Sequence, residues 1–400
     1  MSEELQIYRN YANFVKRFLI VSGIYPIMRE RNIIYRCILF WSILSCSISL
    51  CTIGNFCLQN IKDISLLTAS FMVFATISNV VIKVCFFSIY QNKLQQVDDV
   101  LASLLEEALS EARLKSLAFS CLRIFYRLIY MQTILMAITT IIYLLKPLII
   151  KTLYDKNNTM NVQYPLPLLG TYPWTINSTL IWKLHYLFEV NIGWFIVSVS
   201  TGVDSFYGFC IFRMSTMLRL LSFEFETIFS SSGENKGNKG YEANRQRIFQ
   251  QWVDKHVLLL KCRDIIQEAY GPIILLITVT NAIGICTLIF QLFQISEISI
   301  SKIVQFVSYF FMKLIQTFLY TWPGDVILTE SELLRYKVYC SNWYEDKNIS
   351  LVRCFLLVIA QRPIILKVCD IMKVSLDLFA QVLNTAMSYY LLLQTIDNDK

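Results

Sequence analysis

Hydrophobic positions along this chain gather into seven long runs, at 33–58, 64–90, 118–150, 178–212, 271–293, 302–328 and 364–395. Each is long enough to carry a helix through the roughly 30 Å hydrocarbon core of a bilayer, which takes about 20 apolar residues. The pattern predicts an all-α membrane protein with seven transmembrane helices. The polar connections are equally patterned. In 91–123, Leu94, Val97, Leu101, Leu104, Leu105 and Leu109 recur at helical spacing, so the second and third spans are expected to extend past the membrane as helices. The connection 146–174 carries Pro147, Pro165, Pro167, Gly170 and Pro173, which predicts an irregular loop folded as a lid over one mouth of the bundle. Residues 230–240, rich in serine, glycine and lysine, read as flexible, with helices at 218–229 and 247–269 on either side. The apolar stretch 18–26 either dips into the membrane interface or packs beneath the bundle. No internal repeat appears, which disfavours transporters built from inverted halves.

Charge gives the runs a direction. Arg9, Lys16, Arg17, Arg29, Arg31 and Arg36 precede or open the first run; Lys93, Arg113, Lys115, Arg123 and Arg127 lie between or near the second and third. The fourth-to-fifth connection is also basic, from Arg213 to Arg263, as is the sixth-to-seventh, from Arg335 to Lys367. The alternate connections hold few cations: Lys62, Lys146, Lys151, Lys156 and Lys302. Basic loops stay in the cytoplasm, so the N-terminus is expected inside and the C-terminus outside, the inverse of a G-protein-coupled receptor. The expected segments are a cytoplasmic 1–32 with a short interfacial stretch, spans one to six over 33–328, and a cytoplasmic anchor at 329–363. A last helix at 364–395 and an extracellular tail at 396–400 complete the chain. A helical layer is expected on the cytoplasmic side.

Composition narrows the function. The chain has 400 residues, 55% hydrophobic and 14% aromatic, with mean hydropathy +0.50 and net charge +7. The basic excess lies in loops that would face anionic lipid, so no nucleic-acid partner is expected. No cleavable signal peptide is expected, the first span serving as an uncleaved anchor. The cysteines lie mostly inside runs and predict packing rather than a disulfide framework. With no CxxC and two histidines, His185 and His256, neither a metal site nor a cofactor is expected. No nucleophile–histidine–acid constellation or nucleotide-binding loop points to an enzyme. Asn157-Asn158-Thr159, in the outer lid loop, is the best glycosylation sequon.

Charges inside the runs cost roughly 2.5–3.5 kcal/mol each on insertion scales, so Lys83, Glu189, Asp204 and Lys313 are expected to be paired or wet. Lys83 is read as snorkelling to the inner leaflet. Lys373 and Asp377 read as four apart on one face of the last helix, forming an ion pair or shaping ion entry. His185 and Glu189, also one turn apart, read as a cap on the outer end of span four, with a proton-sensitive ligand contact as the alternative. Trp322-Pro323-Gly324 predicts a kink or break, and Tyr339 and Trp343, again one turn apart, a packed anchor helix.

The last eighty residues carry a specific series: Gln316 to Tyr320 (QTFLY), Pro323-Gly324-Asp325, Glu330-Ser331, Tyr339 to Tyr344 (YCSNWY), Gln361-Arg362-Pro363, Leu376 to Phe379 (LDLF), and Ser388 to Gln394 (SYYLLLQ). This series strongly resembles the insect odorant receptor family, and the length, the inverted topology, Lys83 and Asp204 agree with it along the whole chain. The resemblance implies a tuning subunit of an odorant-gated, non-selective cation channel, working as a heterotetramer with the odorant receptor co-receptor. It implies a multi-pass protein of the plasma membrane of olfactory sensory neurons. The last helix would line the pore, with Ser388, Leu392, Thr395 and Ile396 on one face and Leu392 as a dewetting gate. A small, volatile, mostly apolar ligand would bind among the outer halves of four spans. The candidates are Phe71, Met72 and Phe74; Met136, Thr140 and Tyr143; Phe188 and Ile192; and Phe306, Tyr309 and Phe310. The alternatives are a gustatory receptor channel of the same superfamily and a metabotropic seven-helix receptor.

Overall fold

The computed structural model describes residues 3–24, 33–109, 119, 121–156, 164–176, 178–230, 239–293, 300–341, 343–345 and 349–398. Asn157 lies outside them. Ten helices account for nearly all of the described chain: α1 Glu3–Val21, α2 Ile33–Gln59, α3 Ile64–Ile89, α4 Gln91–Leu109, α5 Leu122–Lys156, α6 Thr179–Ser230, α7 Lys239–Phe293, α8 Ile300–Cys340, α9 Ile349–Ala360 and α10 Leu376–Asn398. Six of them (α2, α3 and α5 to α8) are long and apolar enough to cross a membrane. α10, with 23 residues spanning about 34 Å, has the length of a further crossing.

Several helices far outrun a bilayer. α6 has 52 residues and α7 has 55, about 80 Å each. Their extensions, with α1, α4 and the end of α8, form a packed layer at the basic end of the bundle, opposite the lid loop. The leucines spaced along 94–105 are buried there on α4. α1 went unrecognised in the polar N-terminal sequence, although Tyr8, Tyr11, Val15 and Leu19 sit at i, i+3, i+7 and i+11 and all are buried against the bundle. Each large side chain so buried contributes roughly 1.5–3 kcal/mol. Arg213 of α6 seals this contact: its guanidinium bonds the Tyr8 hydroxyl at 3.0 Å and Asp98 of α4 at 2.5 Å, and covers the Phe209 ring at 4.0 Å. Arg219 pairs with Glu330 of α8, and Lys337 with Glu226 at 2.7 Å.

Glycines on α6 set its close approaches. A Cβ at Gly202 would lie 3.3 Å from the Leu19 backbone of α1, and one at Gly208 only 2.8 Å from Ile129 of α5. α6 is thus the central helix, buried over most of its length.

Sequence expectations for the C-terminal part of the chain need correction. The run 364–395 is not one helix. Its first part forms a small hairpin, β1 Lys367–Val368 and β2 Met372–Lys373, antiparallel with Lys367 opposite Lys373. Ile364, Leu366, Val368 and Val374 are apolar because they are buried against α7 and α8, not because they meet lipid. Lys373 therefore lies on a strand and Asp377 in the first turn of α10, so they share no helical face. Nor does Pro323 break the sixth span: α8 runs through it to Cys340. Tyr339 and Trp343 do not share a helix, because α8 ends between them. Trp343 sits in a short 3₁₀ turn, its indole N–H donating to the Tyr339 carbonyl at 3.2 Å, while Tyr339 is exposed.

Candidate functional site

Four helices converge beneath the loop 164–176 around a cavity of about 90 Å³. α3 contributes Val73 and Thr76; α5 contributes Met136, Thr139, Thr140, Tyr143 and Leu144. α6 contributes Glu189, Ile192, Gly193 and Ile196; α8 contributes Tyr309 and Met312; and Pro167 and Leu168 close it from the loop. Gly193 is needed for this shape, since a Cβ there would sit 3.1 Å from the Thr140 methyl. A wider vestibule of about 970 Å³ adjoins it, reaching Met72, Lys146, Leu288 and Phe306. The two spaces share Val73, Tyr143, Pro167 and Tyr309, so Tyr143 and Tyr309 stand at the neck between them. Tyr309 is held there by a 3.0 Å hydrogen bond to Thr76.

The loop is latched rather than draped. Glu189 accepts from the Leu168 amide at 3.0 Å, the Tyr172 hydroxyl at 2.9 Å and His185 Nε2 at 2.9 Å. The Trp174 indole donates to His185 Nδ1 at 3.0 Å, the Trp182 indole to the Pro165 carbonyl at 2.8 Å, and the Thr171 amide to the Thr52 carbonyl at 3.2 Å. Burial, and then the Glu189 carboxylate, push the Tyr172 hydroxyl pKa well up, so it stays a donor. His185 and Glu189 are thus no helix-end cap: both are buried, and they anchor the lid.

Below the cavity lies a cluster of buried charge. Lys83 of α3 meets Asp204 of α6 at 2.6 Å, with 1% and 2% of their side chains exposed. Tyr320 donates to the same Asp204 oxygen; Gln132 and Gln316 donate to the other at 2.7 and 3.3 Å. Lys83 therefore does not snorkel. Its head stays inside because the Asp204 carboxylate, itself held by Tyr320, Gln132 and Gln316, replaces water as its partner. Lys313, also buried, lies 5.4 Å from the Tyr309 ring centroid.

These groups follow one face of α8. Tyr309, Lys313, Gln316 and Tyr320 succeed one another at steps of four, three and four, and Gly324 continues the line. At Gly324 the helix touches the hairpin so closely that a Cβ would fall 2.8 Å from the Val374 carbonyl carbon. The next residue, Asp325, caps α10 by accepting from the Leu376 amide at 2.6 Å. One rigid helix thus joins the neck of the cavity to the start of α10.

α10 packs on α7 and α8 through Leu378, Val382, Ala386 and Tyr390. Its opposite face is exposed and largely polar: Asp377, Gln381, Asn384, Ser388 and Thr395, with Leu392 between the last two. Ile396 lies on the final turn of the same helix.

A family model, 7tm Odorant receptor, matches residues 59–387. The chain belongs to that family. Its curated relatives include Odorant receptor 13a of Drosophila melanogaster, 22% identical over 284 residues, 67% of this chain and 66% of that one. Another is the Odorant receptor coreceptor of Anopheles gambiae, 24% identical over 172 residues, 41% of this chain and 35% of that one. The matched stretches thus span less than two thirds of these relatives' lengths. Among solved structures, the olfactory receptor OR5 from Machilis hrabei superposes with a TM-score of 0.69 at 16% identity, covering 99% of this chain and all of that one. The same receptor in complex with eugenol gives 0.70 at 16% identity, covering 97% and 99%. At that identity the likeness establishes the fold. The protein is a multi-pass membrane protein of the odorant receptor family.

Of the pocket candidates chosen from this odorant receptor sequence, Met136, Thr140, Tyr143, Ile192 and Tyr309 line the inner cavity; Met72 and Phe306 line the vestibule. Four lie outside both linings. Phe71 neighbours Phe74 at 6.4 Å, and Phe74 faces Gly54 of α2. Phe188 sits edge-on to His185 at 6.1 Å, and Phe310 stacks on Phe306 at 5.8 Å. Lining residues that the sequence reading did not mark include Thr76, Gly193 and Met312, while Glu189, expected as a helix-end cap or a proton-sensitive ligand contact, stands in the wall. Glu189 carried a signal, being an acid inside an apolar run; the others had none to separate them from ordinary packing.

Proposed function

We propose that this chain is the odorant-binding subunit of an odorant-gated, non-selective cation channel that assembles as a heterotetramer with the odorant receptor co-receptor. The observation that carries this reading is the single helix α8, with the cavity neck at Tyr309 and the hold on α10 about four turns further along, at Gly324 and Asp325. An odorant seated against Tyr309 shifts the channel toward opening only if it binds the open arrangement more tightly than the closed one. α8 offers a direct route for that preference to reach α10.

The outward polar stripe of α10 supports a pore. A lone membrane helix does not gain by presenting Asn384, Ser388 and Thr395 to lipid, whereas four such faces around an axis would share water, with Leu392 as the apolar constriction. The basic connections support a reading with the N-terminus in the cytoplasm and the lid outside, where odorants of the sensory neuron's surroundings arrive. Co-receptors among the relatives support the partnership, and a eugenol-bound receptor of the same fold supports a small aromatic or aliphatic ligand.

Recordings from cells expressing this chain with and without the co-receptor, over a chemically broad odour panel, test the proposal. Odorant-evoked cation current that needs both subunits is expected. Epitope tags should read inside at the N-terminus and outside at the C-terminus in unpermeabilised cells. Silence across the panel despite surface expression, or both tags on one side, refutes it.

A further inference from the structure

The hydroxyl protons facing the inner cavity are mostly committed to partners within the wall, which leaves oxygen lone pairs toward the space. Thr76 gives its one hydroxyl proton to the Met72 carbonyl at 2.9 Å. The Tyr309 hydroxyl, 3.0 Å away, must then donate to Thr76 and presents lone pairs to the cavity. Thr139 likewise gives its proton to the Leu135 and Met136 carbonyls, at 3.0 and 2.8 Å. Of the other lining hydroxyls, Tyr143 has a side-chain hydrogen bond with Gln305, and Thr140 has no hydrogen-bond partner among the described residues.

Glu189 is the extreme case. It is 1% exposed and lines the cavity wall. Its three partners are the Leu168 amide, the Tyr172 hydroxyl and His185. The imidazole is neutral: Nδ1 accepts from Trp174, so the single ring proton sits on Nε2 and points at the carboxylate. Three neutral donors thus meet a group with about four acceptor positions. No lysine or arginine among the described residues pairs with it. A buried anion with neutral partners and a vacant lone pair gains from one more donor, most of all a charged one.

We propose that the cavity selects ligands carrying a hydrogen-bond donor, a hydroxyl or an ammonium group, and that Glu189 is the residue that reads it. This rests on the reading of the cavity as the odorant site. Ethers and esters find the Thr140 hydroxyl as a donor but meet lone pairs at Thr76, Thr139, Tyr309 and Glu189, and carboxylates add like charge beside Glu189. Val73, Met136, Ile192, Ile196 and Met312 form the apolar remainder, suited to a short alkyl or aryl tail. At about 90 Å³ the space holds on the order of six to nine water-sized groups, which suits probes of about six or seven heavy atoms.

The test is a matched series on the full channel, co-expressed with the co-receptor at neutral pH: n-pentanol, n-pentylamine, methyl n-butyl ether and pentanoate. The alcohol, the amine or both should half-activate at concentrations at least about tenfold below the ether, the factor of one charge-assisted hydrogen bond, with pentanoate weakest. The two donor arms separate hydroxyl from ammonium recognition. Glu189→Gln should shrink the preference below about threefold, and Glu189→Asp should retain it at equal surface expression. If Glu189→Gln fails to reach the surface, the wild-type series still decides. An ether matching both donors, or a response confined to the ether or acid, or to none of the four, overturns the proposal. Gly193→Phe, which fills the cavity, separates the two readings: block of every active odorant upholds the site even where donor preference fails, while unchanged responses reject the site itself.

Discussion

Three buried charges meet below the cavity, and their arithmetic predicts an asymmetry between two substitutions. Lys83, Asp204 and Lys313 are 1%, 2% and 3% exposed, so the cluster holds two cations and one anion. Asp204→Asn keeps the side-chain shape but removes the anion, stranding Lys83, which now lies 2.6 Å from a neutral amide, and Lys313, which feels the same carboxylate. The new amide nitrogen also confronts donors, since Tyr320, Gln132 and Gln316 all point at Asp204. Breaking a buried pair by removing one partner costs about 3–5 kcal/mol, and two stranded lysines put this case at the upper end. Lys83→Met is milder. Asp204 keeps three neutral donors and the field of Lys313, and the methionine fills the stem volume, so a cost of about 1–3 kcal/mol is expected. The measurement is the temperature at which half of the detergent-solubilised receptor loses its monodisperse peak. At roughly 2 °C per kcal/mol for a large chain, Asp204→Asn should fall by about 10 °C and Lys83→Met by about 2–6 °C. Equal losses, or a larger loss for Lys83→Met, would refute the assignment of Asp204 as the shared counter-ion.

Two further outcomes follow from α8 and α10. Gly324→Ala drives a methyl group into the Val374 carbonyl, and the hairpin must move away from α8, loosening the Asp325 cap on α10. A loss of at least about 2–3 kcal/mol is expected. Odorant-evoked current should fall more than odorant binding, as competition with a bound ligand in membranes would show; equal falls would place the defect in folding. Leu392→Ala removes the apolar side chain from the exposed stripe, and a severalfold rise in current without odorant, or slowed closing after washout, is expected. Unchanged basal and decay currents would remove Leu392 from the gate.

The elements were legible in the sequence because helix and loop formation are local. Apolar periodicity marked α2, α3, α4 and α5, and the prolines of 146–174 marked the lid. The C-terminal motifs pointed to the family without any knowledge of contacts. Two local signals were passed over. The spacing of Tyr8, Tyr11, Val15 and Leu19 specified α1 inside a polar stretch, and the alternating burial of Ile364, Leu366 and Val368 follows the period of a strand. Overall hydrophobicity hid the second signal, because a segment buried in protein and a segment facing lipid share the same composition.

By itself, then, the sequence determined most of the helical stretches, which loop covers the mouth, and where intramembrane charge demands a partner. Which partner it finds was decided by tertiary packing: Asp204 takes Lys83 from α3, Gln132 from α5 and Tyr320 from α8, and Glu189 takes a loop rather than a helix end. The cavity lining belongs to the same class. Helical spacing fixes which residues on one helix share a face, but the rotation of each helix about its axis is set by its neighbours. That rotation is why Met136 and Tyr309 reach the cavity while Phe74 turns to α2 and Phe310 lies along the wall behind it.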